Sequence, residues 1–102
     1  MFSISGLAME IKWLRKALKN LDQEAEYIAE DNPKAAQAVV QNIREAIAML
    51  ADNPSLGRPG RITGTRELVV KSTHYIVPYG VRGKNVEILR IFHTSRRLPK
   101  RW

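Results

Sequence analysis

The 102-residue sequence predicts an α+β fold: an N-terminal strand, a helical hairpin, and a three-stranded antiparallel meander, with the hairpin covering one face of a small sheet. Three observations carry this. Apolar residues recur every three or four positions up to about residue 50 and every second position afterwards. Asn-Pro pairs stand at residues 32–33 and 53–54, where helices are expected to end. Charge divides at the same boundary: residues 1–54 hold six Lys/Arg against eight Asp/Glu, whereas residues 55–102 hold eleven against two. The net +7 is thus a property of the second half, at +9, which is suited to a polyanion or an acidic protein partner.

Each element has a local reason. Met9-Glu-Ile-Lys-Trp13 alternates apolar and polar side chains, as a short half-buried strand does, and Met9 is a plausible alternative start of translation. Leu14, Leu18, Leu21, Ala25 and Ile28, with Ala17 beside them, form the stripe of a first helix that runs to Asp31. Asn32-Pro33 ends it and starts the next, Asn32 as cap and Pro33 at the first helical position, where a missing N–H costs nothing. Ala36, Val39, Val40, Ile43, Ile47 and Leu50 line the second helix, which Asp52-Asn53-Pro54 stops. Ser55–Gly64 reads as a Gly/Pro/Arg loop shaped by Gly57, Gly60 and Gly64. Leu68–Lys71 is β-prone, and Thr73–Val81 places Tyr75, Val77, Tyr79 and Val81 on one face. Arg82-Gly83-Lys84-Asn85 reads as a four-residue hairpin loop, and Val86–Phe92 as a continuous central strand. Pro78 has no N–H to give a sheet, so it implies an edge, a bulge or an unpaired site.

Composition excludes several functions. With no cysteine there are no disulfides, thiolate nucleophiles or cysteine metal clusters, and 44% apolar residues are those of a globular chain. No stretch approaches the roughly 18 apolar residues of a membrane span, and no signal peptide is evident, so a single cytoplasmic domain over residues 1–102 is expected. Within it, residues 1–8 read as a loose extension and 94–102 as a basic tail. His74 and His93 lack partners at metal-ligand spacing, and no dinucleotide or phosphate-loop motif is present, so neither metal nor cofactor is expected.

Arginine is what the second half does offer. Arg58, Arg61 and Arg66 surround the central loop, Arg90 sits on the last strand, and Arg96, Arg97 and Arg101 precede Trp102. Planar guanidinium groups bind phosphate or carboxylate in bidentate fashion. His93, closing an apolar strand and titrating near neutrality, is the foremost candidate for acid–base chemistry. Tyr75 and Tyr79 suit either base stacking or the core, and the core is preferred.

Trp13, Asn53-Pro54, Gly57-Arg-Pro-Gly-Arg61, Gly64-Thr-Arg-Glu-Leu68, Tyr75-Ile-Val-Pro-Tyr79, Val86–His93 and Arg96-Arg97 together resemble the RelE/ParE superfamily of toxins from bacterial type II toxin–antitoxin modules, also found as plasmid stabilisation proteins. The resemblance spans residues 9–99 and implies one mixed sheet with the first strand beside the last. It also implies a cognate antitoxin in a hetero-oligomer. Two targets divide the family. ParE-like members poison DNA gyrase, and the Gly64–Leu68, Tyr75–Tyr79 and His93–Pro99 segments look closer to these. RelE-like members cleave mRNA on the ribosome. On this sequence Arg61 or Arg66 would then stabilise the phosphate, and His93 or Glu67 would handle protons. The second helix, with Arg44 its only cation between Ala35 and Ala51, lacks the lysine-rich surface usual in ribosome-dependent members. The resemblance thus favours gyrase, with Arg58, Arg61, Arg66, Arg90, Arg96, Arg97, Arg101 and Trp102 meeting target or antitoxin. The alternatives are the mRNA endoribonuclease and a non-toxic module member that only binds its antitoxin.

Overall fold

A computed structural model describes residues 8–95; the tail positions Arg96, Arg97, Arg101 and Trp102 and the extension at residues 1–7 lie outside the described residues. The elements run β1 (Glu10–Trp13), α1 (Arg15–Asp31), α2 (Pro33–Ala48) with a 3-10 turn at Met49–Ala51, β2 (Arg58–Pro59), β3 (Thr65–Val70), β4 (Tyr75–Arg82), β5 (Asn85–Ile88) and β6 (Phe92–His93). Asn32 serves both helices. Its backbone N–H donates to Ile28 at the end of α1, and its side chain accepts from the Ala35 N–H (3.1 Å) at the start of α2.

The sheet order is β1-β5-β4-β3-β2, with β6 also paired to β4. β1 runs parallel to β5, Ile11 opposite Val86 and Trp13 opposite Ile88, and every other pairing is antiparallel. The expected mixed sheet is therefore present. Ala17, Leu21, Ile43, Ile47 and Leu50 of the helical layer meet Leu68, Val70, Tyr75, Val77, Tyr79, Val86, Ile88 and Ile91 of the sheet in one core. Both tyrosines belong to it, as preferred. Ile76 and Pro78, on the opposite face of β4, are buried as well.

The structure corrects several local expectations. Leu14 and Leu18 are exposed (37% and 43%). Leu14 is the extended residue before α1, with its N–H bonded to the Ile88 carbonyl, and Leu18 lies about 80° around the helix from the line through Ala17, Leu21 and Ile28. Val81 is 47% exposed, although Val86, its register partner in β5, is fully buried. Arg82 pairs with Asn85, so the hairpin turn is Gly83-Lys84 alone rather than four residues, and Gly83 supplies its positive φ of 59°. Two residues of the expected loop, Arg58 and Pro59, form β2 against β3, which begins at Thr65 rather than Leu68.

The last strand is not continuous. Between the pairs Tyr79–Ile88 and Ile76–Phe92, β4 has two residues and the facing chain has three, which makes a one-residue bulge. Pro78 lies in that interval and cannot donate, while its carbonyl accepts the Leu89 N–H (3.0 Å). The Ile91 N–H turns to the Asn20 side chain of α1 (3.1 Å). Arg90 consequently sits on a bulge, where one guanidinium nitrogen donates to the Leu89 carbonyl.

Candidate functional site

The central loop is anchored from both faces of the sheet edge. Arg66 and Tyr79 are register partners on the helix side of β3 and β4, and Glu67 is on the opposite side. The Tyr79 hydroxyl donates to the Pro54 carbonyl and accepts the Gly57 N–H, both at 2.8 Å. Arg66 Nη1 donates to the Gly57 carbonyl (2.7 Å) and reaches that of Ser55 (3.4 Å). Burial pushes the Tyr79 phenol above its ordinary value, with the Gly57 N–H and the Arg66 charge pulling it back in part. Gly57 is required here: a Cβ would stand 2.7 Å from the Tyr79 ring and 2.9 Å from the Glu67 carbonyl oxygen.

Across the edge, Glu67 is buried at 3% exposure. Its carboxylate accepts the Arg61 N–H (3.1 Å) and pairs with Arg58 Nη2 (3.4 Å) and Arg61 Nε (3.5 Å). The two guanidinium groups keep side-chain exposures of 57% and 41%. The expected loop arginines therefore divide. Arg58 and Arg61 are presented outward, whereas Arg66 is spent on loop carbonyls.

His93 stands elsewhere. It pairs with Tyr75 in β6, four residues along β4 from Tyr79 and on the other side of that strand from Arg66. At ordinary strand spacings the Arg66 and His93 backbones are about 16 Å apart, beyond the reach that shared proton chemistry requires. Its ring lies edge-on to Tyr75 (5.0 Å) and 5.6 Å from the His74 ring, and its Nδ1 is 2.8 Å from Ser95 Oγ. The four candidate catalytic residues thus form an Arg61–Glu67 pair, an Arg66 on the opposite face of the same sheet edge, and a separate histidine. No group of three or more potential metal ligands occurs among the described residues.

A groove of about 600 Å³ runs between the last turns of α2 and β3. Met49, Leu56 and Val69 line it and are each about half exposed. β2 pairs only with Arg66 and Glu67, so β3 presents an edge from Leu68 to Val70. Lys71 lies at one end of that edge and Arg58 at the other. Sequence reading missed both this groove and the anchoring role of Tyr79. The available signal for Tyr79 was chemical, since a core tyrosine must find a partner for its hydroxyl, here in the Pro54–Gly57 turn.

Residues 11–98 match the model of the ParE toxin of the type II toxin–antitoxin system parDE. The chain belongs to this family. Y4kP of Sinorhizobium fredii, named as a candidate toxin, is 44% identical over 88% of this chain and 93% of its own length. Toxin RelE2 of Caulobacter vibrioides is 36% identical over 85% of this chain and 97% of its own. The chromosomal ParDE toxin–antitoxin system of P. aeruginosa contains a chain 34% identical to this one, with a TM-score of 0.78 over 86% of this chain and 98% of that chain. The RelBE2 complex of Mycobacterium tuberculosis shares the fold, at 23% identity and a TM-score of 0.55 over 85% and 92% of the two chains. For this ParE family member no helix among the described residues is long and apolar enough to cross a membrane.

Proposed function

We propose that the chain is the toxin of a ParDE-type module, that it arrests growth by acting on DNA gyrase rather than by cleaving RNA, and that a cognate antitoxin neutralises it. The separation of His93 from the arginine group carries the choice of target. RNA cleavage requires a proton-transfer group within hydrogen-bond reach of the scissile 2′-hydroxyl and a cation at the same phosphate. Here the histidine pairs with Tyr75 and Arg66 with Tyr79, four residues apart along β4 and on opposite sides of that strand. Glu67 is already held by Arg58 and by Arg61, and Arg66 by loop carbonyls. What is left outward is charge for recognition, Arg58 and Arg61.

The antitoxin's seat in this reading is the groove. An extended segment can add to the open β3 edge, bury apolar side chains against Met49, Leu56 and Val69, and place carboxylates near Lys71 and Arg58. The strongly basic second half suits an acidic partner of this kind.

Controlled expression tests the choice of target. Intact mRNA together with accumulating gyrase–DNA cleavage complexes is expected, and His93→Ala should arrest growth within about twofold of the wild type. Rapid cleavage of translated mRNA that His93→Ala abolishes would overturn the reading, and the absence of any growth defect would favour a non-toxic antitoxin-binding protein. Val69→Arg, in the groove, should weaken antitoxin rescue while leaving growth arrest in place.

A further inference from the structure

Arg58 and Arg61 lie on a segment that carries little regular structure of its own: between Pro54 and Gly64 the two residues of β2 pair with β3, and the next N–H, that of Gly60, donates to the Thr65 carbonyl (2.8 Å). A long, half-exposed arginine on such a segment would sample many rotamers, and fixing each one on binding would cost conformational entropy. The contacts beneath the segment remove much of that freedom beforehand. Three side chains from the two adjacent strands hold five of its residues. Tyr79 holds Pro54 and Gly57, Arg66 holds Ser55 and Gly57, and Glu67 holds Arg58 and Arg61. Because Glu67 approaches from the face opposite to Tyr79 and Arg66, the segment is gripped from both sides of the sheet edge.

The carboxylate of Glu67 has a particular geometry. One oxygen faces Arg58 Nη2, and the other takes both the Nε and the backbone N–H of Arg61. A single buried anion thereby sets the spacing of two exposed cations and leaves one positive charge uncompensated. Neither guanidinium has a further protein partner among the described residues. Such an arrangement is pre-organised for an anionic counterpart, and pre-organisation raises affinity by reducing what must be ordered on contact.

We propose that Tyr79 and Glu67 are positioning residues of the toxin, which fix the Pro54–Gly64 segment so that Arg58 and Arg61 meet the target as a pair at set spacing. The inference rests on the toxin reading above but not on gyrase being the target. Neither residue touches the target. Each acts through the two arginines.

The test uses the full chain. In Tyr79→Phe the ring volume stays and the hydroxyl goes; in Glu67→Gln the shape stays and the charge goes. Amide exchange should accelerate about tenfold or more at Gly57 in the first variant and at Arg61 in the second, with Val77 in the core unchanged. Tryptic cleavage after Arg61 should rise in both. Growth arrest at matched soluble protein should fall about tenfold. Ile43→Val, a core change that lowers stability without touching the segment, supplies the control and should retain arrest. The proposal is overturned if both variants arrest growth as the wild type does, if the Gly57 and Arg61 amides keep wild-type protection, or if Ile43→Val loses arrest in proportion to its stability as they do. Wild-type arrest with gyrase unaffected would sink the gyrase reading alone, leaving the positioning residues to be judged on exchange and arrest. A wild type that arrests nothing would sink both.

Discussion

The start and the middle of β4 each carry a core tyrosine on the helix-covered face, and they satisfy a buried hydroxyl in different ways. Tyr75 donates to the Glu24 carboxylate of α1 (2.9 Å), so that end fastens sheet to helix. Tyr79 bonds two backbone groups of the Pro54–Gly57 turn, so that stretch fastens sheet to loop. Around Tyr75 stand two histidine rings and a serine; beside Tyr79 stands Arg66, with Glu67, Arg58 and Arg61 on the opposite face of the sheet edge. One region is scaffold and the other displays charge. Residues of the same type at equivalent positions on one strand thus serve stability in one case and presentation in the other, and the nature of the partner decides which.

The sharpest way to break this contrast is at Gly57. Gly57→Ala drives a methyl into the Tyr79 ring and the Glu67 backbone, neither of which can retreat cheaply, and should cost about 3 kcal/mol. Denaturant unfolding measures it, and a loss below about 1 kcal/mol would mean that the loop is not held as tightly as the contacts indicate.

Next in size is the removal of both outward cations. Arg58→Ala with Arg61→Ala leaves the Glu67 carboxylate buried with only the Arg61 N–H for company. The expected loss is about 2 kcal/mol, less than for a fully buried pair because both guanidinium groups already touch water. Adding Glu67→Gln should restore most of it. A triple variant no more stable than the double would show that the charge, once unpaired, costs little.

At the scaffold end, Tyr75→Phe should cost about 1 kcal/mol, the ordinary worth of a lost hydrogen bond. Tryptic cleavage after Arg61 should not change. Faster cleavage there would mean that the two regions are coupled along β4 rather than separate.

The smallest effect is one of pH. Burial raises the Tyr79 phenol, so its neutral form is favoured in the folded chain. That contribution is full below the unfolded value of about 10 and declines as pH rises from there towards the raised folded value. The gap in Tm between wild type and Tyr79→Phe should accordingly narrow above about pH 10. A gap that widens would contradict the sign.

Much of the architecture is legible in the sequence because it rests on local chemistry. Asn32-Pro33 encodes a stop and a start in adjacent residues, and both are observed. Pro78 foretold an interruption that the bulge at residues 89–91 supplies. The failures share a cause. Leu14 and Leu18 fit a helical period, but Leu14 is extended chain before the helix and Leu18 lies off the buried line, and period alone does not say where a helix begins or which way it faces. β2 is two residues long, too short to impose any alternation, and exists because Glu67 and Arg66 bring the loop to the strand edge. In the site, the outward display of Arg58 and Arg61 was legible from composition. The burial of Glu67 was not, since a lone glutamate among arginines reads as a solvated surface residue until its two partners are seen to converge on one carboxylate.

The parallel pairing of β1 with β5 has a consequence in time. Glu10 and Asn85 are partners about 75 residues apart in the chain, and so distant a contact is slow to form. β5 is also an interior strand, between β1 and β4, and follows nearly every other described element in order of synthesis. A nascent chain can therefore build its helical hairpin early, yet it cannot close the sheet behind Arg66, Glu67 and Tyr79 until translation has passed the β4–β5 turn. For a toxin this is a built-in delay: the cationic loop is finished only once the β4–β5 hairpin behind it has been made.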